Sequence, residues 1–293
     1  MHEPIVAGDF KDGSDEWLAC RRNGIGASDT PSILGIEGAF SNVQRVWADK
    51  VGAIEDSDDG KMEEIFRIAH ALEPVIANEF SNESGFEILQ ESRTLAHPEN
   101  QFIMANLDFW TNVHGKWGPL EIKNVMSWSA KQWEDSVPPK YDAQVQHQMY
   151  VTGAEIGAIA ALIGGCEIKW KVIDRDEAFI EAMVEKLSNF WEMVQKNEMP
   201  MDGELDLDVI KKLHVSEGED PIVLPFEVLH WTKQIDLAKE NIKEWEQFKK
   251  DAEAKVWAAL SGASSGITPD GSVRYKVVTN AKGTKYLRVS KEE

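Results

Sequence analysis

The chain has 293 residues, 42% hydrophobic and 28% charged, enough for one large core, or one core with a small appendage, in an ordinary globular protein. No apolar run approaches the roughly 18 residues of a membrane span, the first residues lack the basic start and apolar stretch of a signal peptide, and the two cysteines, Cys20 and Cys166, exclude a disulfide framework and a four-thiolate zinc or iron–sulfur site. The net charge of −20 taken alone argues against a nucleic-acid ligand, but a carboxylate nest for divalent cations needs local negative charge, and a small basic patch can sit inside an acidic shell.

These features predict a cytoplasmic protein with reduced, buried thiols and many of its eleven tryptophans buried or half-buried. In chain order, residues 14–22 read as a short helix carrying Trp17, Leu18 and Cys20, followed by the glycine-rich turn 23–27. A second helix begins near Ser28, with Pro31 acceptable in its first turn. A third covers 42–51 and stops at Gly52; 53–60 is acidic and loop-like. Over 61–84, Ile65, Ile68, Leu72, Ile76 and Phe80 recur at helical spacing, and Gly85 ends the helix. Short strands are predicted near 86–89, 93–97 and 102–105. Segments 107–113 and 117–125 form a hairpin around His114-Gly115-Lys116. Helices follow over 128–133 and 141–152, then a strand pair, 155–163 and 167–173, around Gly164-Gly165, then a helix over 176–196. This order predicts an α/β sandwich with a mixed central sheet flanked by helices. The main domain spans 1–200. Residues 201–225 are an acidic linker with a short helix, and 226–293 an extension of one long helix (227–260), a Gly/Ser-rich stretch (262–271) and a hairpin (273–289). From 271 to 291 there are six Lys or Arg and no acidic residue.

The chemistry concentrates in Asp108 and, thirteen residues on, Glu121-Ile122-Lys123. On a strand, Glu121 and Lys123 project to one face and Ile122 to the other, and a hairpin partner can bring Asp108 beside them. Two carboxylates can bind a hard divalent cation such as Mg²⁺, which lowers the pKa of bound water, while Lys123 orients that water or neutralises developing charge. Glu-x-Lys occurs three times, at 121, 167 and 253, but only Glu121 combines a strand with a hairpin-related aspartate. The bland alternative is a surface carboxylate–lysine pair.

Four ordered blocks over about residues 14–200 resemble the PD-(D/E)xK nuclease superfamily and, within it, the lambda-type exonucleases or YqaJ-like viral recombinases. They are Trp17 to Arg22 with Ile25-Gly26-Ala27-Ser28-Asp29; His70-Ala71-Leu72-Glu73-Pro74 with Phe80 and Gly85; Asp108 with Glu121-Ile122-Lys123; and Tyr141 to Tyr150 with its glutamines. Leu107 stands where the superfamily's name has proline.

The resemblance implies a restriction-endonuclease-like core. It makes Asp108, Glu121 and the main-chain carbonyl of Ile122 metal ligands, has Glu73 reach the metal from the long helix, and gives Lys123 the attacking water. It puts Arg21 and Ser28 on a 5′-phosphate and Gln144 over the active site against DNA. From the residues themselves, Ser28 at a helix start suits an anion and Arg21 can grip phosphate, although a simple cap and a solvated arginine would look the same. His70, three residues before Glu73 on one helix face, either assists a second metal or is a hydrogen-bonded histidine. Gln148 lies one turn from Gln144, which ordinary helix polarity also explains. Trp110 is the tryptophan placed to meet a DNA end.

The function so implied is a Mg²⁺-dependent 5′→3′ exonuclease, with Mn²⁺ substituting. It would act on linear double-stranded DNA ends and leave 3′ single strands for a phage single-strand annealing protein. Relatives of this kind form a homotrimeric ring around DNA, and no membrane is involved. A RecB- or Cas4-like nuclease is the second reading, although two cysteines do not suit a Cas4-type cluster. A non-catalytic DNA-end-binding scaffold is the third.

Overall fold

The structure, a computed structural model, describes residues 2–11, 13–54, 61–202, 205–214 and 221–291. The acidic segment expected as a loop therefore lies largely outside the described residues, as do parts of the expected linker. In chain order the elements are β1 (Ile5–Gly8), α1 (Asp15–Arg22), α2 (Thr30–Leu34), α3 (Val43–Lys50), α4 (Lys61–Ser84), β2 (Glu87–Gln90), β3 (Thr94–Ala96), β4 (Met104–Asn106), β5 (Phe109–Val113) and β6 (Lys116–Val125). A 3-10 turn (Ser127–Trp133) leads to α5 (Pro139–Thr152), β7 (Ile156–Ile163), β8 (Glu167–Asp174), α6 (Glu177–Lys196) and α7 (Leu207–Leu213). The rest is α8 (Glu227–Leu260), β9 (Ser265–Ile267), β10 (Val273–Thr279) and β11 (Lys285–Lys291). The chain divides into two units, Met1–Ser216 and Glu217–Glu293.

The first unit is built on a five-stranded mixed sheet in the order β2-β5-β6-β7-β8. Only β6 and β7 are parallel, with Glu121 beside Ile159 and Lys123 beside Ala161. A parallel pair needs a crossover rather than a tight turn, and the 3-10 turn with α5 supplies it. Alternation along the strands splits the core. Leu120, Ile122, Ala158 and Ala160 pack with Ile76, Ala77 and Phe80 of α4. Val125, Ile159, Ala161 and Ile163 pack with Val145 and Met149 of α5. The expected mixed sheet flanked by helices is thus the architecture found. A second, three-stranded sheet, β1-β3-β4, borders a third apolar cluster that includes Ile25, Trp47 and residues of α6.

Local chemistry sets the helix ends. Ser14 and Asn42 accept hydrogen bonds from the backbone N–H groups of Trp17 and Arg45, and Gly35 takes the left-handed conformation that ends α2. In β6, Gly118 has no room for a side chain: a Cβ there would lie 1.7 Å from the carbonyl oxygen of Ile156.

Several expectations need correction. Ser28 does not start the second helix; α2 begins at Thr30 and has only five residues. Ile65 and Ile68 are exposed, so only the C-terminal half of α4 presents its apolar stripe to the sheet. Cys166 is exposed in the turn between β7 and β8, and Cys20 is half-buried; both thiols are free. The tryptophans follow expectation in part: six of the eleven are buried or half-buried, whereas Trp117, Trp128, Trp231, Trp245 and Trp257 are exposed. The Gly/Ser-rich stretch contributes β9, because a strand of backbone hydrogen bonds needs no bulky side chains. No helix among the described residues is long and apolar enough to cross a membrane.

In the second unit, α8 runs for 34 residues with none of them buried, and β9, β10 and β11 form an antiparallel sheet with β10 in the centre.

Candidate active site

The hairpin register brings the acidic residues together. Phe109 pairs with Leu120, so Asp108, one residue before β5, lies alongside Glu121. Its Oδ2 accepts a 2.7 Å hydrogen bond from the Ile122 backbone N–H. Alternation turns the Ile122 side chain into the α4 layer and sends Glu121 and Lys123 toward α5. Lys123 Nζ donates a short hydrogen bond to Glu121 Oε1, and Gln148 Nε2 donates to Glu121 Oε2 at 2.5 Å. Glu121 is only 5% exposed, so both its oxygens are held by donors in a largely dry setting.

Electrostatics favour a cation there. Burial, then the neighbouring Glu121 charge and more distantly Glu73, pushes the Asp108 carboxyl well above the usual range; Lys123 and the Ile122 N–H offset only part of this. Burial works against the Lys123 ammonium, but Glu121 and Asp108 outweigh it and raise its pKa. Among the described residues no group of three His, Cys, Asp or Glu side chains is already gathered about a metal position. The donor set still fits a hard divalent cation: two adjacent, largely buried carboxylates carry one more negative charge than their lysine cancels, and all the available ligands are oxygens.

The Lys123 ammonium also lies 5.3 Å from the Tyr141 ring centroid and 5.9 Å from that of Phe40. Lys140 stands over the same two rings at 5.0 and 4.9 Å. Phe40 is 51% exposed, so an open aromatic and a second cation border the carboxylate group. Gln144 and Gln148 are both buried, each with an unpartnered side-chain oxygen, on the helix face that meets Glu121.

Arg21 and Ser28 form a second group. Arg21 Nη2 donates to Ser28 Oγ at 3.1 Å, and its guanidinium lies 4.6 Å from the Trp17 ring centroid, a cation–π contact. Lys50 braces this loop. Its side chain is 1% exposed, its ammonium pairs with Asp29 at 2.8 Å, and it donates to the Arg21 carbonyl at 3.0 Å. Asp29 also accepts from the Gly26 N–H. His147 connects the loop's helix to α5: Thr30 Oγ1 and His147 Nδ1 are 2.7 Å apart, and His147 Nε2 donates to the Met104 carbonyl at 2.8 Å.

The remaining predicted residues have other partners. His70 is well exposed and lies 3.8 Å from Glu73. The Trp110 indole donates to Glu91 at 3.0 Å, and Arg93 pairs with the same carboxylate, so Trp110 is tied to the β2–β3 connection. Sequence reasoning missed Lys50, Phe40, Lys140 and His147. The only hint was lysine on an otherwise buried helix end and histidine inside a buried glutamine-rich turn, and neither names its partner.

Residues 16–155 match the model of the YqaJ-like viral recombinase domain. The uncharacterized protein YqaJ of Bacillus subtilis (strain 168) is 31% identical over 292 residues, 97% of this chain and 90% of that protein. An alkaline exonuclease (LHK-Exo) from Laribacter hongkongensis shares the fold, with a TM-score of 0.51 and 20% identity over 63% of this chain and 94% of its own. The same enzyme in complex with dAMP superposes with a TM-score of 0.51 at 21% identity and equal coverage.

Proposed function

The chain belongs to the YqaJ-like viral recombinase family, and from that premise we propose that it is a metal-dependent deoxyribonuclease, a 5′→3′ exonuclease on linear duplex DNA. The observation that carries this reading is the convergence of Asp108, Glu121 and Lys123, with Asp108 fixed by the Ile122 N–H and Glu121 gripped by Lys123 and Gln148.

Asp108, Glu121 and the Ile122 carbonyl would hold Mg²⁺ or Mn²⁺, with Glu73 approaching from α4. Such an ion, when bound, polarises the phosphodiester and lowers the pKa of its water. The chain's own residues do the rest. Glu121 is preset by its two donors, so little reorganisation accompanies substrate binding. Lys123 stays charged and can hand hydrogen bonds from the carboxylate to an attacking water or a phosphate oxygen. Gln144 and Gln148 offer side-chain oxygens to a substrate group entering over α5. Arg21, held in place through its carbonyl by Lys50, and Ser28 would grip the terminal 5′-phosphate, which biases the enzyme toward ends. The product, a 3′ single strand, would pass to an annealing protein, and a homotrimeric ring around the duplex would keep the enzyme on its track.

The test is the purified protein with Mg²⁺ on linear duplex, with and without 5′-phosphate, and on closed circles. Loss of linear DNA only, faster with 5′-phosphate, is expected. Cutting of circles would assign an endonuclease, and end binding without cleavage a scaffold. Lys123→Ala should lower the rate by about a thousandfold while DNA binding persists; a fully active variant would remove the proposed site.

A further inference from the structure

Helices in proteins draw most of their stability from packing an apolar face, yet α8 runs 34 residues with none of them buried. It has such a face. Trp231, Ile235, Ala238, Ile242, Trp245, Lys249 and Ala252 follow one another at alternating steps of four and three residues, the 3.5-residue repeat of a coiled-coil seam. Trp231, Ile235, Ile242 and Trp245 are each more than half exposed. Phe248, also exposed, stands edge-on to Trp245 at the margin of the stripe, with ring centroids 5.7 Å apart.

The stripe fits a second copy of itself in one direction. Run antiparallel with Ile242 facing Trp245, the two helices bring Ile235 opposite Ala252 and Lys249 opposite Ala238. Large side chains then meet small ones on either side of the central Ile–Trp layers, and the Lys249 stem lies over a methyl group with its ammonium at the edge. The residues flanking the seam agree, because Lys239 comes beside Glu246 of the second copy and Glu246 beside its Lys239. Within the chain Lys239 pairs with Asp236 at 3.3 Å, but both are exposed and such a pair contributes little. A parallel pair has neither property. Lys249 would face Lys249, Trp245 would face Trp245 and Ala238 would face Ala238, and the flanking contacts of Gln234 with Lys239 and Asn241 with Glu246 join no opposite charges. The exposed parts of two tryptophans, two isoleucines and one phenylalanine from each copy supply roughly the 1,200 Å² at which specific interfaces begin.

We propose that α8 is a self-association element that pairs antiparallel with α8 of a second copy of this chain. The pairing does not rest on the nuclease reading. It is also compatible with a three-fold ring made by the first unit, since two such rings joined through α8 give a hexamer of closed symmetry.

The experiment is analytical ultracentrifugation of the full chain in EDTA across micromolar concentrations. The parent should have an even multiple of the chain mass, and Ile242→Glu with Trp245→Glu should halve it. Charge reversal tests the register. Lys239→Glu or Glu246→Lys alone places like charges together twice in the symmetric pair and should raise the dissociation constant about tenfold. The two together should restore the parent's value. That rescue cannot arise within one helix, where seven residues span about 10.5 Å along the axis. Should the seam variant lose helicity by circular dichroism, the charge variants, at exposed positions, carry the test. A parent that is a monomer or a trimer, as when the first unit or a different protein covers the stripe, would overturn the pairing. So would a mass unchanged by the seam substitutions, or single reversals that have no effect or are not rescued by the double.

Discussion

His147 offers a quantitative check on the way α5 is anchored. It is completely buried, between Thr30 and the Met104 carbonyl. Because Nε2 must donate to that carbonyl, Nδ1 is the acceptor from Thr30, and the ring is neutral. Burial holds its pKa down at about 4, although the Met104 carbonyl and Asp29 pull the other way. The unfolded chain protonates near an ordinary histidine value of about 6.5. A folded value below the unfolded one leaves full stability above about pH 6.5 and erodes it as pH falls toward about 4. At pH 5 the loss from this residue alone comes to about 2 kcal/mol. His147→Gln keeps a donor for Met104 and an acceptor for Thr30 but cannot titrate. Urea unfolding of both proteins at about pH 7.5 and pH 5 cancels the carboxylates common to them. The parent should lose about 2 kcal/mol more than the variant over that interval. Equal losses would mean that His147 is not held neutral by its surroundings, and the described anchoring would be wrong.

Other consequences follow from the same geometry. Asp108→Asn keeps an oxygen for the Ile122 N–H and removes a crowded charge, so metal-free Asp108→Asn protein should melt above the parent at pH 8. That gain should shrink on acidification as the parent's raised Asp108 carboxyl protonates, and Mg²⁺ should stabilise the parent alone while the variant cleaves no DNA. Differential scanning fluorimetry with and without EDTA reads both. Gly118→Ala should destabilise by about 3 kcal/mol, because the new Cβ meets the Ile156 backbone rather than a movable side chain; an unchanged urea midpoint would show that β6 and β7 do not approach so closely. Arg21→Ala should cut the rate preference for 5′-phosphorylated over 5′-hydroxyl ends by about tenfold, read from initial rates on matched duplexes.

The parts of this molecule legible in the sequence are those set by near neighbours. Hairpin arithmetic from His114-Gly115-Lys116 and the two-residue alternation of β6 were enough to place Asp108, Glu121 and Lys123 in one spot. The bounds of α1, α3 and α6 were legible for the same reason. What depends on distant partners was not. The parallel pairing of β6 with β7 follows from where α5 lies, not from either strand's residues. Lys50 reads as a surface cation until Asp29 and the Arg21 carbonyl close around it. The second helix, expected to begin near Ser28, begins at Thr30, and Ser28 meets Arg21 instead. The stripe on α4 outlasts the sheet beneath it, since periodicity reports a face and not what covers it.

β6 is the middle strand of its sheet, bonded to β5 on one edge and β7 on the other. Glu121 and Lys123 therefore ride on the segment that is last to open, not on a loop that frays early. Warming should leave these two side chains in register until the sheet itself is lost. The heat tolerance of their placement is then a property of the entire sheet, and stabilising substitutions anywhere in that sheet would extend it.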